Sequence, residues 1–457
     1  MFRKNYALVA LSGVLLVALA TKLEAATFSD DNWSNIGNID KVAPVPYLNG
    51  GVRSVATDHA GNLYVGGDFT IAGGVSTTNI AKWNGSTWRA LNFEGVNGPV
   101  GALLAVGNDL YAGGEFTTAG GVSATNIAKW NGSNWSPVGL GINPIITQPY
   151  YAGYVGALAM SGSDLYAAGF FTNASGVPAN HIARWNGSSW SALSSGMNHV
   201  VQALAVSGSN VYAGGAFTMA GGASANYIAK WNGSSWSALG SGLDASVYSL
   251  AVMGSDLYAG GYFKTAGGVS ATDIARWDGT NWTALGLGIR SLDGVFSHIG
   301  AVNALAVSGN ELYAAGNYSR DSADVNRVAK WNGSSWTALG SQFDYFVSSL
   351  SVSGTDLYAG GSFGWAGGKE AWCIAKARIG SVVKSIAAPT ATATVQFSGV
   401  TGYEYDAQRT ASLNPPVWTT INTIPLSPAA DGSFTFTDTN PPSGSAFYRA
   451  WLLAPAP

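Results

Sequence analysis

Four histidines, one cysteine and a scatter of loop carboxylates are the residues from which this chain could build a reactive site. His59, His181, His199 and His298 together with Cys373 offer the imidazole and thiolate ligands that copper or zinc would take. They stand in different copies of a repeat, and the slot of His181 is filled elsewhere by Asn126, Tyr227, Asp273, Arg327 and Cys373. No copy therefore offers more than one histidine; the histidines read as solvated loop residues, and no metal or other cofactor is expected. Asp293 and Asp344 are the acids that a carboxylate pair cleaving a glycosidic bond would use, against their ordinary role as exposed turn residues. No phosphate-binding loop or His-Glu-x-x-His helix is present.

Binding chemistry is better represented than catalytic chemistry. Two long connections, "GINPIITQPYYAGY" and "GIRSLDGVFSHIGA", carry Tyr150, Tyr151, Asp293, Phe296 and His298. Shorter connections at the equivalent place add Glu94, His199, Asp244, Asp344, Tyr345 and Phe346. Aromatic faces with convergent carboxylates and amides suit a sugar or a peptide segment. The competing role for Tyr151 and Phe296 is a local apolar plug.

The elements that position these residues follow from a repeat. "DLYAGGEFT" around Tyr111 recurs at Tyr64, Tyr166, Tyr212, Tyr258, Tyr313 and Tyr358, at intervals of 47, 55, 46, 46, 55 and 45 residues. The fourth copy reads as four strands, "VQALAVSG", "NVYAGGAFT", "NYIAKWNG" and "SWSALGSG", each bounded by Gly, Ser or Asn. Four strands per unit predict a β-propeller blade, so the expected fold is all-β, a seven-bladed propeller over residues 27–384. Asn-Gly or Asp-Gly between the third and fourth strands predicts a tight turn needing positive φ, which accounts for the Asn-Gly-Ser triplets without sugars. The seventh copy lacks the tryptophan pair, and "DDNWSNIG" near the start supplies the missing half. An N-terminal strand through Trp33 is expected to close the ring, in preference to "SVVKSIAA" after Gly380. The basic residue repeated as Lys82, Lys129, Arg184, Lys230, Arg276, Lys330 and Lys376 reads as a solvated edge.

The two ends differ from the repeat. "MFRKNYALVALSGVLLVALATKLEAA" has the basic start, apolar run and small residues of a secretory signal peptide spanning 1–26. Its apolar run is too short and broken for a permanent anchor of roughly 20 residues. Residues 385–457 alternate in short strands and predict a small β-sandwich with no C-terminal anchor. Without Arg3, Lys4, Lys22 and Glu24, 19 basic residues face 24 acidic ones, which excludes recruitment of nucleic acid or an anionic membrane by charge. One cysteine precludes an internal disulfide, so packing and backbone pairing hold the fold.

The pattern "LYAGGxFTxAGG…NIAKWNGSSWSALG" over residues 28 to 380 resembles the Kelch-like propellers related to the galactose oxidase central domain, as found in bacterial secreted proteins and fungal polarity markers. The resemblance implies fold rather than activity. The copper chemistry of that enzyme would need tyrosine, histidine and a cysteine–tyrosine cross-link that these slots do not assemble. The terminal "TTINTI…DGSFTFTDT…AFYRA" is similar to small domains ending secreted bacterial proteins, which implies export and display. The expectation is an exported, monomeric, non-catalytic binding or adhesion module taking a glycan or an extracellular protein on the face of the long connections. A polysaccharide hydrolase or lyase, and a purely structural surface protein, are the alternatives.

Overall fold

The computed structural model describes residues 9–11, 30–36, 48–92, 94–143, 153–286, 300–317, 328–340 and 343–379, together with strands and short segments between 382 and 455. The chain divides into two compact units, one mostly within 33–376 and one mostly within 377–457.

In the larger unit each copy folds as one antiparallel four-stranded sheet. The fourth copy runs Val201–Ser207, Asn210–Gly215, Ile228–Trp231 and Trp236–Ala238, in that order across the sheet. Its inner strands alternate apolar residues into the contact with neighbouring copies, where Val201, Val211, Ala213 and Ala229 are fully buried. The first strand of each copy packs beside the first strand of the next, and that of the seventh returns to the first. Side chains stitch this seam: Ser349 Oγ accepts from the Val55 amide at 3.0 Å, and Thr57 Oγ1 and Ser351 Oγ lie 3.0 Å apart. The unit is thus all-β and propeller-like, with no open edge between first and last copies.

Trp33–Asn35 completes the last of these sheets, beside Ile374–Arg378. In every copy the tryptophan that opens the fourth strand donates its indole N–H to a carbonyl of the preceding copy, at 2.9 to 3.2 Å. Trp33 donates to Leu339, and Ile36 in turn accepts from Trp88. Val382–Ala387, the other candidate for this position, pairs instead with Ala393–Ser398.

The turn between third and fourth strands differs from expectation. Trp231 and Trp236 face each other across it, with ring centroids 5.4 Å apart, so the loop has four residues. Gly233 has φ 99°, but Asn232 is not in the left-handed region. Asn232 serves through its side chain, whose Oδ1 accepts from the amides of Ser234 and Ser235. The repeated basic residue is also not simply a solvated edge. Lys129, Arg184, Arg276 and Lys330 pair with Asp109, Asp164, Asp256 and Glu311 at 2.7 to 2.9 Å; in the first three the cation is about a third or more exposed, which limits each to at most about 1 kcal/mol, while Lys330 and Glu311 are both largely buried.

The smaller unit contains a three-stranded sheet of Val382–Ala387, Ala393–Ser398 and Ser433–Asp438. A second sheet joins Tyr403–Thr410, Thr419–Thr420 and Ala446–Pro455. Arg409 and Asp438 link the two sheets at 2.6 Å, both largely buried. Of the expected leader only Val9–Leu11 is described, as a strand paired with Ala446–Tyr448. No helix among the described residues is long and apolar enough to cross a membrane.

Candidate functional site

One position repeats in space although its residue varies. The first strand of each copy starts at, or one residue before, a buried valine, and in six copies the next residue is left over when the strand pairs with its partner. In the fourth copy Val201 pairs with Gly215 and Ala203 with Gly214, so Gln202 is the extra residue of a β-bulge. Arg53, Gly101, Gly156, Tyr248 and Asn303 are the corresponding extra residues in five other copies. A bulge re-aims its side chain away from the regular alternation. All six line a single cavity of about 590 Å³, with Glu115 from the end of a second strand and Tyr154. A cavity reached from six successive copies lies on the axis around which they are arranged. It opens at the end where the inter-copy connections enter.

The lining is polar and lopsided. Arg53 lies 3.6 Å from Asp68 and 3.9 Å from Glu115, so one guanidinium is shared by two carboxylates. Burial, then the charge of Glu115, pushes the Tyr154 phenol above its ordinary value. Gln202, Tyr248 and Asn303 are half-buried and uncharged, and Gly101 and Gly156 leave the rim open on two neighbouring copies. The Gln202 side-chain oxygen is buried with no hydrogen-bond partner. Glu115 is the one carboxylate among the described lining residues.

The residues singled out from the sequence lie elsewhere. Tyr150, Tyr151, Asp293, Phe296 and His298 fall outside the described residues. Glu94 is exposed on its connection, near Gly121. Asp244 Oδ1 accepts from the amides of Lys264 and Thr265, and Asp344 Oδ1 from those of Gly364 and Trp365. Asn49, Asn97 and Asn198 do the same in their copies. The residue before each latch is buried and bridges an alanine of the hairpin it holds, as Leu243 bridges Ala266. Asp244→Asn is therefore expected to leave stability within about 0.5 kcal/mol, whereas Asp244→Ala loses both bonds and costs about 1 kcal/mol, as measured by urea unfolding.

His199 and Tyr345 occupy one shared slot, directly after the latch, and both are exposed. His199 stacks on His181 at 6.4 Å, and the run continues through Phe170 to Tyr154 at the cavity. His181 is not a solvated loop residue: it is 6% exposed, and its Nδ1 lies 3.1 Å from the Gly169 carbonyl. Burial, with the neighbouring His199, lowers its pKa against the opposing pull of that carbonyl. Tyr345 rests on Phe346, ring centroids 4.1 Å apart.

Among the described residues no group of three or more His, Cys, Asp or Glu side chains is placed to hold a metal. Cys373 sits in the slot of His181, and burial, with Asp68 and Asp344 nearby, pushes its thiol up to about 11. Thiolate is the reactive form. Iodoacetamide at pH 8 should therefore label the folded protein on the order of 100-fold more slowly than the unfolded chain, whose thiol has pKa about 8.5. Mass spectrometry of a time course measures this, and a ratio below about ten would contradict the burial.

These sheets and this axial cavity define the class: an all-β, propeller-like protein. No family model and no curated protein matches the chain. Among solved structures it is similar to the WD40 domain of Neurospora crassa Pan2, at 10% identity and TM-score 0.42, over 78% of this chain and 99% of that one. It is also similar to the computationally designed Ika4 protein, at 18% identity and TM-score 0.22, over 36% of this chain and 88% of that one. The fold assignment rests on the chain's own sheets.

Proposed function

We propose that this chain is an exported, Kelch-like, seven-bladed β-propeller followed by a small β-sandwich, acting outside the cell as a non-catalytic recognition module. Its ligand is a glycan or an extracellular protein, bound at the axial cavity on the face of the inter-blade connections. The observation carrying this reading is the cavity itself, built from the variable bulge residues Arg53, Gln202, Tyr248 and Asn303 on an otherwise repetitive scaffold. Hydroxyl-rich ligands match such a mixture of amides and tyrosines, and a rigid sheet frame lowers the ordering cost of binding. Cleavage of a glycosidic bond commonly uses two carboxylates, and Glu115 alone lines the described wall. The leader motif supports export, and the acidic balance argues against nucleic acid.

The test is a glycan-array and polysaccharide pull-down screen on protein lacking residues 1–26, with product analysis of every bound sugar. Binding without turnover, weakened at least tenfold by Tyr248→Ala and unchanged by Asp244→Asn, is the expected result. Turnover would replace this reading with a polysaccharide-acting enzyme, and absence of any glycan would leave a protein ligand or a structural role.

A further inference from the structure

The seventh copy departs from the others on the small hairpin that its latch holds. Trp365 pairs across that hairpin with Glu370, and the Asp344 latch lies on its other side, accepting from the Gly364 and Trp365 amides. Phe343 bridges Ala366 and both are buried, so strand alternation turns Asp344, Trp365 and Glu370 outward together. In other copies this row is Asn97, Thr118 and Ser123, or Asn198, Met219 and Ser224. There the latch asparagine also donates to a threonine hydroxyl, as Asn198 does to Thr218. Gly364 stands at that threonine's place, where a Cβ would lie 3.2 Å from Asp344 Oδ2 and meet nothing else within 4 Å, so the glycine leaves open space before that oxygen.

Aromatic rings gather on the same copy. Trp365, Tyr345 and Trp372 are 46%, 49% and 42% exposed. The Trp372 amide donates to the Gly364 carbonyl at 3.2 Å, which places it on backbone neighbouring Trp365. Trp372 has φ 33°, whereas its counterparts Thr78, Thr125, Asn180, Asn226 and Thr272 lie outside the left-handed region. A bulky residue held at positive φ is strained, and such strain gathers at functional sites. The backbones carrying Asp344 and Glu370 stand two strand spacings apart, roughly 10 Å. A pyranose fills that span more readily than a single ammonium, which needs both carboxylates within about 3 Å. It also brings hydroxyl donors around its edge and an apolar C–H face for the indole.

We propose, resting on the glycan half of the reading above, that this row is a second sugar site, apart from the axial cavity. A pyranose with equatorial hydroxyls lays its C–H face on Trp365 and donates to Asp344 Oδ2 and Glu370. Tyr345 and Trp372 take adjoining rings of the same chain.

The repeat supplies variants that keep the fold, because each new residue already occupies the same slot in another copy: Asp344→Asn, Trp365→Thr and Glu370→Ser. Asp344→Asn keeps the latch through Oδ1 and replaces the open acceptor with an N–H donor. The chain without residues 1–26 is treated with N-bromosuccinimide, which oxidises exposed tryptophan, in the presence of β-linked trisaccharides of glucose, N-acetylglucosamine or xylose, or of choline. Peptide mass spectrometry follows Trp365. At least one trisaccharide is expected to protect it, at a concentration that rises about tenfold in Asp344→Asn and about threefold or more in Glu370→Ser, while Tyr248→Ala leaves it within about twofold. Calorimetry of Trp365→Thr should show one binding site fewer, with melting unchanged. Sugar binding that leaves Trp365 oxidised as fast as before would overturn this site and leave recognition at the cavity standing. Protection of Trp365 with no binding lost in Tyr248→Ala would keep this site and remove the cavity reading. Choline protecting at a lower concentration than any sugar would replace the sugar with a cation and overturn the inference. No glycan binding of any kind would overturn both.

Discussion

Replacing Trp33 with alanine is expected to cost about 3 to 5 kcal/mol, the range for emptying a buried aromatic site. Trp33 is fully buried, packs edge-on against Phe343 at 4.8 Å, and donates its indole N–H to Leu339 at 2.9 Å. Phe343 in turn meets Phe363 edge-on at 4.7 Å, so the cavity would open within a stack of three rings. The same substitution at Trp236 removes an equivalent side chain and the bond to Leu193, but its strand stays tethered to its own sheet by the Asn232 loop. Trp33 sits instead on a strand of three residues, Trp33–Asn35, whose partner Ile374–Arg378 is far away in sequence. Closing so long a loop has an entropic cost that local turns do not carry. Beyond the loss of stability common to both, Trp33→Ala should raise hydrogen exchange selectively at Ile374 to Lys376, while Trp236→Ala should not. Urea unfolding with exchange mass spectrometry checks both. A loss under about 1 kcal/mol at Trp33 would mean that another segment holds the ring shut.

The repeat made the sheets, their number of strands and the displaced Trp33 legible, because a strict period reports which residues share an environment. Physical roles within a slot were harder to read. Asp244 and Asp344 look like free loop acids, yet their partners are backbone amides some twenty residues on, which no local pattern announces. Alignment with Asn49, Asn97 and Asn198 was the available signal, since alternation of Asn and Asp at one position suits an acceptor for backbone amides better than a charged site. The cavity residues were hidden for a different reason. In "VRSV", "VGAL", "VQAL", "VYSL" and "VNAL" the second residue varies widely between a constant valine and a small Ala or Ser, but simple alternation assigns it to the face away from the apolar contacts without marking it as extra. Only pairing with the second strand reveals the bulge. The longest connections carry Tyr150, Tyr151, Asp293, Phe296 and His298, which lie outside the described residues. The burial of His181 is not legible locally, because polarity in a loop gives no measure of it; its ring neighbours Phe170 and His199 lie 11 residues before it and 18 after it.

The second large effect separates two adjacent glycines that the sequence presents as a pair. A methyl group on Gly214 would press on the Val247 side chain of the next copy, at 2.5 Å from its Cγ1. Side chains can turn, and copies three and six already carry Ala168 and Ala315 in this slot. Gly214→Ala is expected to cost about 1 to 2 kcal/mol. At Gly215 the methyl would run into the backbone carbonyl of Val200, and the same collision with backbone arises at Gly67, Gly114, Gly169, Gly261, Gly316 and Gly361. All seven copies keep glycine there. Its φ is not in the left-handed region, so close approach, rather than conformational freedom, is what requires it. Gly215→Ala should cost about 3 kcal/mol or more, since a bulged backbone must move to admit the methyl. The displaced segment is Val200–Val201, immediately before Gln202, so the damage extends to the cavity. Gly214→Ala should keep ligand affinity within about threefold, whereas Gly215→Ala, assayed at a temperature where it is folded, should lose at least tenfold because Gln202 is no longer aimed inward. Equal melting temperatures for the two variants would show that the bulge yields freely, and the rigid presentation of Gln202 on which the recognition argument depends would then fail with it.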